Sequence, residues 1–355
     1  AASLGEFEQG RPVIEAFRKA CPGYKILVTF FSPSGYEIRK NYPGADYIFY
    51  LPPDTPRNVR RFMAIVRPKI AVFVKYEFWV NYLLAMKRAG TKLYLISSIF
   101  RDGQIFFRPY GGLFRSALRA FRHIFVQNDS SRNLLKSIGI EQVSVAGDTR
   151  FDRVYEIAQQ AKRLPEIERF AADAPVFIAG STWPPDEELL VGLIERYPDV
   201  KFIVAPHEID PARIEKFCER ISRPALRYTQ LTPQSDLAAA GVLFVDTIGI
   251  LSSVYRYGRW GYIGGGFGAG IHNTLEAATF GLPLAFGPRY GKFREARDLV
   301  TLRGAASIAS AEELERWFAG LHDDPDATGR SGTICKEYVL QHKGATARIM
   351  DEICR

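Results

Sequence analysis

At 355 residues, 47% of them hydrophobic and 24% charged, the chain is too long for one typical core and has a composition ordinary for a globular protein of two domains. No run approaches the roughly 18 apolar residues of a membrane span, and the scattered Cys21, Cys218, Cys335 and Cys354 and the 5 histidines form no C-x-x-C or H-E-x-x-H pattern, which argues against a protein-held metal. A net charge of +8 calls for an anionic partner; without a helix-turn-helix, zinc-finger or RNA-binding aromatic signature, nucleic acid gives way to a membrane surface or a phosphorylated substrate.

Strand-like and helical runs alternate along the whole chain. In the first half the strand candidates are Lys25–Phe31, Tyr47–Tyr50, Ile70–Val74, Leu93–Ile96, His123–Val126 and Gln142–Val145. Between them lie amphipathic segments such as Arg11–Ala20, Arg57–Val66, Trp79–Ala89 and Tyr110–Phe121. Continuous apolar strands separated by helices predict a parallel sheet covered on both faces. The second half repeats the plan with Val176–Ile178, Lys201–Val204, Val242–Val245, Trp260–Ile263, Leu284–Phe286 and Ala306–Ile308. The charged stretch 159–174 carries no strand and reads as the connection between a domain at 1–158 and one at 175–340, with 341–355 as a last helix returning to the first. The expected class is α/β: two Rossmann-like, doubly wound parallel-sheet domains facing a cleft. The chain opens on a loop and helix, whereas a crossover unit is strand–helix–strand. Residues upstream of Ala1, holding a strand and with room for a membrane anchor, are therefore expected.

Several polar residues fall where strands end, the edge at which open parallel sheets bind ligands. Glu6, at the start of the first helix, can take a proton from an attacking hydroxyl, although Ser3-x-x-Glu6 is also a capping-box pattern with no chemistry. Glu77 follows the strand Ile70–Val74; it serves either the site or only the dipole of a helix start. Arg150 can neutralise a leaving phosphate or pair with Asp148 or Asp152. In the second half Gly180-Ser181-Thr182, Pro206-His207 and Asp246 each follow a strand; taken singly they read as caps and loop anchors. Capping explains each one but not the whole row.

The densest signal is YIGGGFGAGIHNTLEAATFGLPLAFGP, Tyr262 to Pro288. Glycines gather where a strand meets a helix expected to open at His272-Asn273, a position suited to a phosphate. Asn273 and Glu276 form either a capping box or, on the functional reading, a phosphate contact and a carboxylate for a ribose diol. With the row of strand ends, this reads as a nucleotide site.

AASLGE (1 to 6), SPSG (32 to 35), YEFWVN (76 to 81), VAGDTRFD (145 to 152), DTIG (246 to 249) and the glycine block together resemble the 3-deoxy-D-manno-octulosonic acid (Kdo) transferases, over nearly the whole chain. The resemblance implies the GT-B fold, CMP-Kdo as donor, a lipid A precursor as acceptor, inversion at the transferred sugar without a metal or other cofactor, and a place on the anionic cytoplasmic face of the bacterial inner membrane. It implies Glu6 as general base and Glu77 and Arg150 as stabilisers of the transition state. It gives Pro206, His207, Ile248, Gly249, Ile250, Asn273, Thr274, Leu275 and Glu276 to CMP. The sequence departs from the family at Ala205-Pro206-His207, where Pro-Arg-His is usual and a guanidinium is thus missing, at Ile250, where a glutamate is common, and at Ser97-Ser98-Ile99-Phe100, where acceptor contacts are expected. Arg213 and Arg289 are candidates for the missing guanidinium. Rival readings of the same residues are a sugar-nucleotide epimerase and a non-catalytic sugar-nucleotide-binding protein.

Overall fold

The computed structural model describes residues 1–354. The chain divides into two compact units, Ala1–Arg153 with the segment from His342 onward, and Val154–Gln341.

The first unit carries strands β1 (Leu27–Phe30), β2 (Tyr47–Tyr50), β3 (Ile70–Val74), β4 (Lys92–Ser98), β5 (His123–Val126) and β6 (Val143–Val145). They form a parallel pair, β1-β2, and a parallel sheet in the order β3-β4-β5-β6. Beyond Lys92, β4 is buried along its whole length, as befits an apolar strand enclosed on both faces. Its side chains alternate between two cores. Leu93 and Leu95 join Ile124, Leu83, Met86 and Leu118 on one face. Tyr94 and Ile96 join Phe125, Val13, Ile349 and Ile353 on the other. The second face is covered by helix Leu4–Ala20 and the C-terminal helix Ala345–Ile353. Helix Leu4–Ala20 starts seven residues before Arg11, the first residue of the amphipathic run, and continues through the buried Pro12. Proline reads as a breaker in sequence because it lacks a donor; here packing against the sheet overrides it.

The second unit carries β7 (Val176–Thr182), β8 (Lys201–Pro206), β9 (Ala225–Arg227), β10 (Val242–Phe244), β11 (Trp260–Ile263), β12 (Leu284–Phe286) and β13 (Ala305–Ser307). All are parallel, in the order β13-β12-β11-β7-β8-β10-β9. The chain builds outward from β7 through β8 and then returns to the other side of β7 with β11. That reversal makes the carboxyl ends of β7 and β11 the topological switch point, the place where open parallel sheets bind ligands.

Three features differ from expectation. The stretch 159–174 is no bare connection: it holds helix Pro165–Ala171, whose Ile167 and Phe170 are buried. β9 is a three-residue, half-buried strand without an apolar run, and helix Pro33–Arg39 begins with turn-like Pro-Ser-Gly, organised by the side chain of Ser32. No helix among the described residues is long and apolar enough to cross a membrane.

Candidate active site

Three strands of the second unit bring aromatic rings to the switch point. Trp183 follows β7, His207 follows β8, and His272 lies in the turn after β11. Trp183 stacks on His207 with centroids 4.9 Å apart, and His207 on His272 at 4.2 Å. The Trp183 indole N–H donates to Nε2 of His272 at 3.0 Å. An accepting Nε2 places the ring proton on Nδ1. Burial, reinforced by the neighbouring His207, pushes the His272 pKa down, so the ring is neutral at pH 7.

The glycine block is explained first by backbone packing. A Cβ on Gly264 would sit 2.2 Å from the Ser181 carbonyl oxygen, and one on Gly266 2.5 Å from Gly287 Cα. Gly265 adopts φ +92°, and its N–H donates to Asp186 Oδ2 at 2.9 Å. Asp186 is fully buried and also accepts from the Tyr262 hydroxyl at 2.8 Å and the Trp183 N–H at 2.9 Å. One carboxylate thus ties β7, β11 and the helix Pro184–Arg196 together. The N–H groups of Gly264, Gly265, Gly268 and Gly270 all donate within the chain.

The helix expected to open at His272-Asn273 runs only from Leu275 to Thr279. Asn273 Oδ1 accepts from the Leu275 N–H at 3.1 Å and its amide donates to Glu276 Oε1 at 3.0 Å, so the pair is joined side chain to side chain and no reciprocal capping box forms. Asn273 is exposed, Glu276 half-buried and Leu275 buried. The Thr274 hydroxyl is buried without a hydrogen-bond partner, an arrangement that costs about 1–3 kcal/mol. Of the two candidate guanidinium groups, Arg289 donates to the Gly268 carbonyl at 2.7 Å, on the glycine loop. Arg213 donates to the Glu208 carbonyl at 2.7 Å and lies 3.6 Å from Glu187, beneath the loop of His207.

Ile248, Gly249 and Ile250 follow β10, two strands away from β7 in the sheet. Ile248 is 90% exposed and Gly249 has φ +94°. Asp246 does not cap the helix that follows, which begins at Leu251. It is buried and accepts from Arg227 Nε at 2.9 Å and from the N–H and hydroxyl of Thr229 at 2.8 and 2.6 Å. Burial opposes its charge, but these bonds outweigh it and hold the carboxyl below the usual range.

In the first unit, Glu6 completes the capping box with Ser3. Its Oε2 accepts from the N–H of Ala2 at 2.7 Å and of Ser3 at 3.1 Å. Among the described residues Oε1 accepts no hydrogen bond. Glu77 is buried and accepts from the Trp79 indole at 2.5 Å. Burial raises its pKa, and the charge of Glu6 adds to the rise. Arg150 is paired with the buried Asp148, Nε to Oδ2 at 2.8 Å, while Asp152 instead holds the Thr346 N–H at 2.7 Å. The preceding Thr149 bonds the Gln9 carbonyl at 2.5 Å and the Ser97 hydroxyl at 3.1 Å, which sets the Arg150 helix against the Glu6 helix and the end of β4.

Lys75, Ser97 and Ser181, all at the carboxyl ends of strands, hold φ values of +64°, +53° and +55°. Such strain gathers at functional edges, and no sequence pattern announces it. Trp183 and the role of Asp186 were likewise hidden: one aromatic and one acid at a helix start have no diagnostic spacing. Among the described residues no three His, Cys, Asp or Glu side chains cluster as a metal site.

Residues 1–153 match the family model described as 3-deoxy-D-manno-octulosonic-acid transferase (kdotransferase). The 3-deoxy-D-manno-octulosonic acid transferase of Haemophilus influenzae is 24% identical over 99% of this chain and 84% of its own length. That of Aquifex aeolicus is 26% identical over 86% of this chain and 79% of its own. Among solved structures, UDP-GlcNAc 2-epimerase from Neisseria meningitidis bound to UDP-GlcNAc superimposes with a TM-score of 0.69 at 16% identity, covering 99% of this chain and 98% of that one, a likeness of fold alone. Two Rossmann-like units and these matches define a glycosyltransferase of the GT-B fold. Over nearly its whole length the chain is similar to Kdo transferases, and over residues 1–153 to the family model of that name.

Proposed function

We propose that the protein transfers Kdo from CMP-Kdo to a lipid A precursor with inversion at the anomeric carbon. Glu6 takes the proton from the primary hydroxyl of the distal glucosamine. The oxygen forms its bond to the anomeric carbon as the bond to the CMP phosphate breaks, and CMP leaves with the electron pair. Because the capping bonds converge on Oε2, Oε1 is the oxygen that receives the proton. Glu77 and Arg150 steady the transition state electrostatically. His207, with Pro206, Ile248, Gly249, Ile250, Asn273, Thr274 and Leu275, holds CMP, and Glu276 accepts from the ribose hydroxyls. The leaving group carries a single phosphate, so no metal is required, and activity should persist in EDTA.

The observation that carries this reading is the convergence of His207, His272 and the Asn273–Glu276 pair at the switch point of the second unit, in a chain whose relatives are named for Kdo transfer. In the first unit Arg57, Arg60, Arg61 and the 79% exposed Ile65 share helix Pro56–Val66 as a basic and apolar surface suited to anionic lipid on the cytoplasmic face of the inner membrane. Incubation with CMP-Kdo and a lipid A precursor tests the assignment: release of CMP with a Kdo-bearing lipid supports it. Failure to consume CMP-Kdo, or release of UDP from a UDP-sugar, overturns it.

A further inference from the structure

The His272 ring is gripped along one edge. Its backbone N–H donates to the Gly264 carbonyl at 3.1 Å, just past the end of β11. A Cβ on Gly265 would lie 3.0 Å from Cδ2 and 3.2 Å from Nε2 of the ring, so glycine lets that edge rest against the backbone. The Trp183 indole closes on the same edge, donating to Nε2 at 3.0 Å. Both sides of this grip depend on one buried carboxylate: Asp186 accepts from the N–H of Trp183 and from that of Gly265, at 2.9 Å each. His207 covers one ring face, with centroids 4.2 Å apart.

In an imidazole, Nδ1 is the atom opposite the Nε2–Cδ2 bond. With that bond held against Gly265 and Trp183, Nδ1 points away from both. It bonds no group among the described residues and is open to solvent. Because Nε2 accepts, Nδ1 carries the one ring proton and can only donate. Two residues on, the buried Thr274 hydroxyl also bonds nothing in the chain. Buried or fixed polar groups without partners call for an explanation. A ligand rich in acceptor oxygens supplies one.

We propose that His272 binds the sugar nucleotide by giving its Nδ1–H to an anionic oxygen of that ligand, and that Trp183 is the positioning residue that fixes the tautomer and aim of the ring. The anion is the nucleotide phosphate or a carboxylate on the transferred sugar; both offer acceptors only. Arg289, whose guanidinium lies on the glycine loop against the Gly268 carbonyl, favours an anion at this end of the sheet. A hydrogen bond to a charged acceptor is stronger than one between neutral groups, and a neutral ring makes it without yielding a proton. Burial and His207 keep the ring neutral. The inference rests on the reading of the second unit as the CMP-Kdo site and adds to it a residue and a positioning partner.

Calorimetry on the full chain with cytidine, CMP and CMP-Kdo tests it. Asparagine places its amide nitrogen near the position of Nδ1, whereas glutamine places its own near Nε2. Both substitutions remove the ring and its stacking, so a difference between them reports where the donor sits. If phosphate is the partner, His272→Gln should weaken CMP binding on the order of tenfold, with His272→Asn within about threefold of the parent. Cytidine, which has no phosphate, should then bind all three alike. If the sugar carboxylate is the partner, CMP binds all three alike and the same contrast appears with CMP-Kdo. Nitrogen NMR should find the parent ring protonated at Nδ1, and Trp183→Phe should spread that proton over both nitrogens while weakening the same ligand. Equal losses in the asparagine and glutamine variants with both ligands, or a parent proton on Nε2, would overturn the inference and leave the transferase reading standing. A parent that binds neither CMP nor CMP-Kdo would overturn both.

Discussion

The indole of Trp183 donates to Nε2 of His272 across 3.0 Å, so the residue just after β7 sets the tautomer of a ring on the turn after β11. This bond stabilises the neutral imidazole, while burial and His207 already lower its pKa. With the folded value below the unfolded one, the unfolded chain binds the proton more readily. The stabilisation is complete above about pH 6.5 and is lost as pH falls from there toward the lowered folded value. Trp183→Phe keeps the stack and deletes the donor. In an NMR titration the His272 pKa should move up toward the ordinary imidazole value, and the acid-side loss of stability should shrink. An unmoved titration would show that the indole bond does not tune the ring.

The glycine block should divide into packing and permissive positions. Gly264→Ala drives a methyl into the Ser181 carbonyl and should cost at least about 2 kcal/mol by denaturant unfolding, with donor binding lost alongside. At Gly268 the nearest atom to an added Cβ is 3.6 Å away, an ordinary contact. Gly268→Ala should stay within about 1 kcal/mol of the parent. Equal effects would mean that the block is not held by the backbone contacts described.

Asp186 and Thr274 are both buried polar residues, one satisfied and one not. Asp186→Ala strands the Tyr262 hydroxyl and the Gly265 N–H and should destabilise by about 2–5 kcal/mol. Thr274→Val removes a hydroxyl that bonds nothing in the chain and should be neutral or slightly stabilising by the same measurement. If that hydroxyl serves the nucleotide, calorimetry will show weaker CMP binding with no loss of stability.

Much of the framework was legible because buried parallel strands are apolar runs. Tyr47–Tyr50, Ile70–Val74, His123–Val126, Trp260–Ile263 and Leu284–Phe286 occur with the bounds the sequence indicates. Elements stabilised by their neighbours were less legible: β9 has three half-buried residues, and although Ser3 and Glu6 marked the start of the first helix, nothing in the sequence announced that it runs through Pro12. Sequence also pointed to the carboxyl ends of the strands, where His207 stacks on His272. It could not show that the glycines serve chiefly to let backbones touch, or that Asp246 ties β10 to Thr229 and Arg227 instead of capping a helix. Those facts depend on which strands become neighbours, and β10 lies beside β9 only once the sheet forms.

The most direct measurement is Kdo transfer by Glu6→Gln. A capping box accepts glutamine as well as glutamate, so the helix start that Glu6 organises with Ser3 should survive while the base is lost. Transfer from CMP-Kdo to a lipid A precursor should fall on the order of 10²–10⁴-fold, with the Kd for CMP and the Tm unchanged. Undiminished transfer by this variant would contradict the role given to Glu6.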